Sequence, residues 1–209
     1  MTLCTIGQPY SDSSRAGPKG SLLESGVGTG RNIRYLPLSR LTSIHFIDPS
    51  NQMLRQAWKK WHELHPDRPT LSAHEQTSTD ETAISGDLPV TFQMATADAL
   101  SEAPNYDTIL QTCTICSADD PVRLLKGLAL RLKPGGQLLL LEHGQSHYRW
   151  LNRVLNAYAG KHAQEWGCTW NKDIHRILQA ADLDVTSISR WHLGTTWMIV
   201  AKKKTVEPK

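Results

Sequence analysis

The sequence predicts an α/β protein with a mainly parallel sheet that is covered by helices on both faces. From residue 21 onward, short apolar segments alternate with segments of helical periodicity, which is typical of βαβ units. The segment LLLL at residues 138–141 is apolar on both faces, as a central parallel strand requires. Both observations point to a sheet that is buried between layers of helices.

Composition bounds the class of protein. A chain of 209 residues suits one domain, and its 39% hydrophobic and 21% charged residues exclude a membrane bundle and a wholly disordered chain. The formal charge of +3 is too small to predict a nucleic-acid partner. Four cysteines without paired zinc spacing favour a reducing, intracellular compartment, cytoplasmic or mitochondrial, and we expect no metal site. Oligomeric state is left open.

Changes in composition divide the chain. Residues 1–20 mix Gly, Pro, Ser and Thr without periodicity and predict a flexible leader, for which a transit peptide is one interpretation. Residues 21–204 predict one folded domain, followed by a short tail at 205–209. Within the domain, residues 65–87 predict a mobile surface insertion. Residues 143–170 are aromatic and basic, and we expect this segment on the substrate side.

The elements follow from periodicity and from glycine and proline positions. Pro134 and the glycines after it end a helix and turn the chain into the apolar strand. Gly194 lies in a short connection that predicts a final hairpin. Strands are predicted at Ser21–Ser25, Thr42–Ile47, Val90–Met94, Thr108–Leu110, Gln137–Leu141, Val185–Arg190 and Trp197–Ala201. Helices are predicted at Thr29–Tyr35, after Pro49, at Pro121–Leu132 and at Asn171–Ala181.

The strongest local motif is LLESGVGTG at residues 22–30, where glycines alternate directly after an apolar strand. Glycine lets the backbone approach a ligand closely and adopt positive φ. A dinucleotide fingerprint would need glycine where the chain has Arg31, and it does not explain Glu24 at the strand end. The motif therefore favours a nucleotide-type cofactor other than a dinucleotide, and a tight turn without a ligand is the alternative.

Two further acids follow strands. Asp48 ends the second strand, where a carboxylate can accept both hydroxyls of a ribose; a helix cap is the alternative. Asp98 follows the third strand and, with the neighbouring amide of Ala99, offers the edge of an adenine pocket. Alone, Asp98 would be a loop acid.

Together, the segments ESGVGTG, FIDPSNQML, ADAL, YDTILQT, LKPGG and LLLLEHG resemble class I S-adenosylmethionine-dependent methyltransferases. The resemblance covers residues 21–201 and is strongest to the ubiquinone and menaquinone C-methyltransferase-like group and to fungal mitochondrial methyltransferase-like proteins. It implies a Rossmann-like seven-stranded sheet with an antiparallel C-terminal hairpin, and S-adenosylmethionine across the carboxyl ends of the first four strands. Two departures are Ser25, which is usually apolar, and the short leader where relatives carry site-closing helices.

The resemblance also assigns cofactor contacts by position. The implied contacts are Glu24, Gly26, Gly28 and Thr29 on the methionine and ribose side, Asp48 at the ribose, Asp98 and Ala99 at the adenine, and Gln111 and Thr112 at the methionine portion.

His143 is the candidate base. It follows the fifth strand directly after Glu142, where catalytic side chains gather in open sheets. A histidine with a near-neutral pKa can take a proton from an acceptor, and Glu142 could orient its ring. The alternative is that both residues satisfy backbone groups in a turn.

Three features admit more than one interpretation. Cys113 and Cys116 are more typical of small buried residues than of a metal or redox pair. Five of the seven tryptophans lie in the last sixty residues, either walling an apolar acceptor pocket or packing the last helix on the sheet. The segment 148–166 predicts an amphipathic lid, a helix on a membrane surface or a solvated helix face.

The predicted function is methyl transfer to a small, apolar acceptor such as a quinone precursor, a lipid or a thiol. A second hypothesis is an assembly or interaction factor that keeps the fold with weak or no catalysis. A methyltransferase of RNA or protein is a third; it would favour a stronger basic patch or a different loop than QTCT at residues 111–114.

Overall fold

A computed structural model describes residues 17–68, 71–72, 88–103 and 105–204. The strands are β1 (Gly20–Ser25), β2 (Leu41–Asp48), β3 (Leu71–Ser72), β4 (Val90–Met94), β5 (Tyr106–Thr112), β6 (Leu132–His143), β7 (Leu183–Trp191) and β8 (Thr196–Lys203). The helices are α1 (Asn51–Leu64), α2 (Pro121–Leu130), α3 (Arg149–Trp166) and α4 (Ile174–Ala180). The predicted leader, insertion and tail lie largely outside the described residues.

All eight strands form one sheet in the order β3-β4-β2-β1-β5-β6-β8-β7. Pairing is parallel from β3 to β6, and β8 pairs antiparallel with both β6 and β7. The seven predicted strands and the antiparallel C-terminal hairpin are therefore confirmed. The two-residue β3 adds an edge strand in the segment that was predicted as an insertion.

Helices cover both faces of the sheet, as the sequence predicted. On one face, Leu22, Phe46 and Leu110 pack with Leu54 and Trp61 of α1. On each strand the intervening residues face the other way, and Leu23, Ile109 and Leu140 pack on the other face with Leu125 of α2 and Leu178 of α4. Each of the four leucines of LLLL is at most 2% exposed, because β6 is buried on both sides.

The predicted helix at Thr29–Tyr35 is wrong. The chain instead forms two short 3₁₀ turns, Ile33–Tyr35 and Leu38–Arg40. Gly28 and Gly30 have φ of +55° and +72°, outside the right-handed helical region, and Pro37 cannot donate a helical hydrogen bond. The glycine turn therefore does not lead into an α-helix here.

Local capping sets the helix starts. Ser50 caps α1, and its hydroxyl accepts from the backbone N–H of Met53 at 3.4 Å. Asp120 and Asp173 cap α2 and α4 in the same way. Because Asp173 is the cap, α4 begins at Ile174 rather than at the predicted Asn171. Among the described residues, no helix is both long and apolar enough to cross a bilayer.

Candidate functional site

The candidate site lies at the carboxyl edge of the parallel strands. β1 and β5 are neighbours in the sheet. From β1 the chain continues to β2 on one side of this pair, and from β5 it continues to β6 on the other side. Open α/β sheets bind ligands where the strand order reverses in this way. Glu24, Asp48, Thr112 and His143 lie at the ends of these four strands. Because side chains alternate along a strand, all four face the side covered by α1.

Glu24 is the most buried acid of this cluster. Its side chain is 1% exposed, and its Oε1 accepts a hydrogen bond from Asn32 Nδ2 at 2.8 Å. The same Nδ2 donates to Thr112 Oγ1 at 2.9 Å, so Asn32 joins the ends of β1 and β5. Burial raises the pKa of Glu24 to about 8, although the Asn32 hydrogen bond lowers it.

Asp48 connects the end of β2 to the glycine turn. Its Oδ2 accepts from the backbone N–H of Gly28 at 2.9 Å, and its Oδ1 accepts from that of Ser50 at 2.8 Å. The helix cap is Ser50 rather than Asp48. Each carboxylate oxygen can accept more than one hydrogen bond, so the buried Asp48 keeps capacity for a ribose hydroxyl.

The glycine turn leaves room for a ligand. A Cβ on Gly28 would meet no atom within 4 Å, whereas one on Gly26 would lie 2.5 Å from Thr114 Oγ1. Glu24 Oε2 is buried and has no hydrogen-bond partner among the described residues. A buried carboxyl group with an unpartnered oxygen beside an open turn fits a cofactor that brings a cationic donor, as the methionine ammonium of S-adenosylmethionine does, because the cation would favour ionisation of the carboxyl.

The two residues predicted to contact adenine, Asp98 and Ala99, are less ready to bind a ligand than Glu24 and Asp48 are. Asp98 is exposed and lies 3.5 Å from Arg123 Nε through its Oδ2. The Ala99 N–H donates to the Thr96 carbonyl at 3.1 Å, within a 3₁₀ turn. The neighbouring amide that the sequence proposed for an adenine contact therefore already has a partner within the chain.

The structure does not bring Gln111 into the cluster. Gln111 pairs in register with Ser25 and faces the α2 side, opposite to Thr112. Both its amide atoms are buried without a hydrogen-bond partner among the described residues. The expectation that Gln111 and Thr112 share a side is thus corrected by the alternation along β5.

Glu142 does not orient His143 in this structure. The two residues are consecutive on β6 and so face opposite sides of the sheet. Glu142 Oε1 accepts from the backbone N–H groups of Thr114 and Ile115 at 3.1 and 3.2 Å. Burial raises the pKa of Glu142 well above its usual value. Its role here is to hold the turn after β5, as the alternative interpretation proposed.

His143 lies beside the turn that follows β5. Its Nδ1 is 4.0 Å from Cys113 Sγ, and Thr112 and Leu141 are partners in register on β5 and β6. Burial lowers the pKa of His143, so the ring is neutral at neutral pH. A neutral imidazole can accept a proton.

The family of the chain follows from a comparison with known proteins. Residues 7–188 match the family model described as a methyltransferase domain. The chain belongs to this family. With the glycine turn and the acids at the ends of β1 and β2, it is an S-adenosylmethionine-dependent methyltransferase domain, as the resemblance implied.

The mitochondrial methyltransferase OMS1 of Saccharomyces cerevisiae is a relative of this methyltransferase. The two are 38% identical over 186 residues, which cover 89% of this chain and 39% of the yeast protein. The chain thus spans less than half the length of this relative. The mitochondrial location of the yeast protein agrees with the predicted intracellular compartment.

Solved methyltransferase structures share the fold. YcgJ from Bacillus subtilis superimposes with a TM-score of 0.64 at 13% identity, over 93% of this chain and 97% of that one. The magnesium protoporphyrin IX methyltransferase of Synechocystis PCC 6803, solved with bound SAH, gives 0.57 at 14% identity, over 90% and 75%. At these identities the likeness concerns the fold alone.

Cys116 and Cys168 lie close enough to Glu142 to interact with it electrostatically. Cys116 is buried and donates to the Cys113 carbonyl at 3.3 Å. A hydrogen bond between the Cys116 and Cys168 thiols raises the pKa of Cys116, as burial also does, and lowers the pKa of Cys168. In the part of the chain that the structure describes, no three metal-binding side chains come together.

The described tryptophans of the C-terminal region fit packing better than a pocket wall. Trp197 is buried and donates to the Gln145 carbonyl at 3.2 Å. Trp170 donates to the Leu155 carbonyl at 3.1 Å and stacks on His162. Trp150 and Trp191 are exposed at the surface.

Asn32 is the site residue that sequence reasoning missed. It falls in the segment that was predicted as a helix, where an asparagine carries no special meaning. Its 3% exposure and its two hydrogen bonds follow from the turn geometry after Gly30. No signal in the local sequence marks this role, because the contacts to Glu24 and Thr112 depend on the three-dimensional path of the turn.

Proposed function

We propose that this methyltransferase transfers a methyl group from S-adenosylmethionine to a small, apolar acceptor such as a quinone precursor, a lipid or a thiol. The observation that carries the proposal is the position of His143, which lies on the same face of the sheet as Glu24 and Thr112, on the strand next to that of Thr112. A cofactor at β1 and β5 leaves the end of β6 for the acceptor.

The residues of β1 and β2 would hold the cofactor. Glu24 Oε2 is the buried acceptor for an ammonium group, and Asp48 is the acceptor for ribose hydroxyls. When bound, S-adenosylmethionine supplies a methyl group on a sulfonium that is already activated for in-line displacement. Positioning by these residues then lowers the barrier.

His143 would accept the proton that the acceptor loses. Its Nδ1 lies 4.0 Å from Cys113 Sγ, and a neutral imidazole accepts a proton at whichever ring nitrogen carries none. Burial keeps the ring neutral, the form that a general base needs. The acceptor would lose its proton to His143 as it gains the methyl group, and the bond that breaks would be the methyl–sulfur bond that S-adenosylmethionine supplies when bound.

The surroundings of His143 support an apolar acceptor. Thr112 and Cys113 beside it are uncharged, and the nearby acid Glu142 faces the opposite side of the sheet. Burial, rather than a neighbouring cation, lowers the pKa of His143. An acceptor with little charge loses the least solvation in such a place. We also propose a mitochondrial location, supported by the yeast relative.

A labelled-methyl transfer assay tests this proposal. The purified chain is incubated with methyl-labelled S-adenosylmethionine and separate panels of quinols, lipids and thiols. We expect transfer to one panel and a decrease of roughly 10²–10⁴-fold for His143→Ala with cofactor affinity unchanged. His175→Ala is the matched control, since His175 is exposed on α4.

Two outcomes would contradict the proposal. Full turnover by His143→Ala would remove His143 from the reaction. Cofactor binding without transfer to any panel would favour the assembly or interaction factor over the enzyme acting on a small apolar molecule.

A further inference from the structure

Helix α3 follows β6 after a short turn. It begins at Arg149, after a turn in which Ser146 N–H donates to Asn152 Oδ1 at 2.7 Å and Asn152 Nδ2 donates back to the Ser146 carbonyl at 3.0 Å. Gly167, with φ of +64°, ends it. The helix is therefore held at its start only a few residues after the candidate base.

One row of α3 packs on the protein and another faces solvent. The inward row is partly or fully buried and consists of Leu151, Leu155, Ala159 and His162. The outward row, at intervals of four residues, is Trp150, Val154 and Tyr158, which are 59%, 46% and 60% exposed. Residues four apart lie on one side of a helix, so these three form a continuous apolar stripe.

Two more exposed apolar side chains extend the stripe at its start. The backbone N–H of Tyr148 donates to Ser146 Oγ, and the same hydroxyl donates to the Leu193 carbonyl. Ser146 thus joins the start of α3 to the connection between β7 and β8. Tyr148 and Leu193 are both exposed. With the three residues of the stripe they make five exposed apolar side chains in one region. Single exposed apolar residues are common on protein surfaces, whereas a group of this size indicates an interaction site.

The charges of α3 are mainly positive. Arg149, Arg153 and Lys161 are exposed, and Glu165 is the one acid among the helix residues, which makes a formal charge of +2. Within the described ranges, none of the three cations forms an ion pair. Aromatic rings of Trp and Tyr beside unpaired cations match the interface of a bilayer with anionic headgroups.

We propose that α3 lies on the surface of an anionic phospholipid bilayer, with Trp150, Val154 and Tyr158 at the headgroup boundary and the arginines beside lipid phosphates. Charge complementarity favours this partner, because three free cations repel a second positively charged copy of the helix. The placement would deliver an apolar acceptor from the bilayer close to His143. Bilayer binding itself requires no methyl transfer.

Vesicle co-sedimentation of the full chain tests the proposal. We compare vesicles of phosphatidylcholine alone with vesicles that contain about 30% phosphatidylserine. Wild type should bind the anionic vesicles about tenfold more tightly, and added salt should weaken the binding. Trp150→Ala with Tyr158→Ala should reduce it about tenfold or more, and Arg149→Gln with Arg153→Gln should remove the preference for anionic vesicles.

The control is Trp58→Ala, which removes an exposed tryptophan on α1 and should leave vesicle binding unchanged. All four altered positions of α3 are at the surface, and circular dichroism with the melting temperature checks folding. Absence of binding by folded wild type would overturn the proposal, as would an equal loss in Trp58→Ala. Self-association that the Trp150 and Tyr158 changes abolish, without vesicle binding, would instead assign the stripe to a second copy.

Discussion

Asp48 Oδ2 accepts a hydrogen bond from the backbone N–H of Gly28 at 2.9 Å. This contact joins the end of β2 to the turn after β1, twenty residues earlier. The carboxylate therefore has two uses, to hold the glycine turn and to receive a ribose. Both uses belong to the same site, so a substitution at Asp48 should affect cofactor affinity more strongly than the stability of the fold.

Asp48→Ala should weaken the affinity for S-adenosylmethionine about ten- to a hundredfold, since charge-assisted hydrogen bonds contribute roughly 1.5–3 kcal/mol. Calorimetric titration measures this. Asp120→Ala is the control, because it removes the cap of α2 away from the site and should lower stability by about 1 kcal/mol with affinity unchanged. Unchanged affinity in Asp48→Ala would show that the ribose position is misassigned.

Cofactor binding should release a proton from Glu24. Burial raises the pKa of Glu24 to about 8 in the ligand-free chain, so the carboxyl is mostly protonated at neutral pH. An ammonium beside Oε2 would favour the ionised form, and affinity should therefore rise with pH toward 8. Titrations in buffers of different ionisation enthalpy should show about one proton released. Release of the same number of protons when the cofactor binds to Glu24→Gln would refute the assignment of the released proton to Glu24.

Glu24→Gln should also stabilise the ligand-free protein at alkaline pH. Unfolded Glu24 ionises near its ordinary pKa of 4.5, while the folded group keeps its proton up to about 8. The folded state of wild type thus loses stability between these two values, by an amount on the order of a few kcal/mol at most. Urea unfolding should show equal stabilities near pH 4 and a more stable variant at pH 8. A pH-independent difference would contradict this linkage.

Asp107 should contribute to stability in the acid range. Burial would raise its pKa, but hydrogen bonds from Lys133 Nζ at 2.9 Å and from Ser21 lower it to about 2. The contribution is present above the ordinary value of 3.8 and is lost as the pH falls toward 2. Since the pair is over a third exposed, Asp107→Asn should cost about 1 kcal/mol or less at pH 7.

Thermal melts from pH 7 down to pH 2 measure this effect, and the exposed Asp119→Asn is the control. The melting temperatures of wild type and Asp107→Asn should converge at the acid end. A difference in melting temperature that stays constant from pH 7 to pH 2 would show that the Asp107 side chain stabilises the protein through its shape rather than its charge.

Much of the sheet could be predicted from the sequence, because a strand that is buried on both faces consists of consecutive apolar residues. LLLL in β6 and the bounds of β4 at Val90–Met94 are examples. The segment after Gly28 could not be predicted correctly. Its periodicity resembles a helix, but the positive φ of Gly30 overrides the propensity of the residues that follow.

The candidate site was only partly predictable for a similar reason. Glu24 and Asp48 are marked by their positions at strand ends, and the structure joins them to the same turn region. The partners of these acids are not marked. Asn32 and the Gly28 amide come from the three-dimensional path of the turn. The opposite facing of Glu142 and His143 follows because β6 continues to His143, beyond the predicted end of the strand at Leu141.

The most direct test of the cofactor site is an equilibrium titration of the folded chain with S-adenosylmethionine and, separately, with its demethylated product. We predict micromolar binding of both, with one site per chain, weakened in parallel by Asp48→Ala. Absence of binding by a chain whose circular dichroism and melting transition show a folded protein would contradict the assignment of the carboxyl edge of β1, β2 and β5 as the cofactor site.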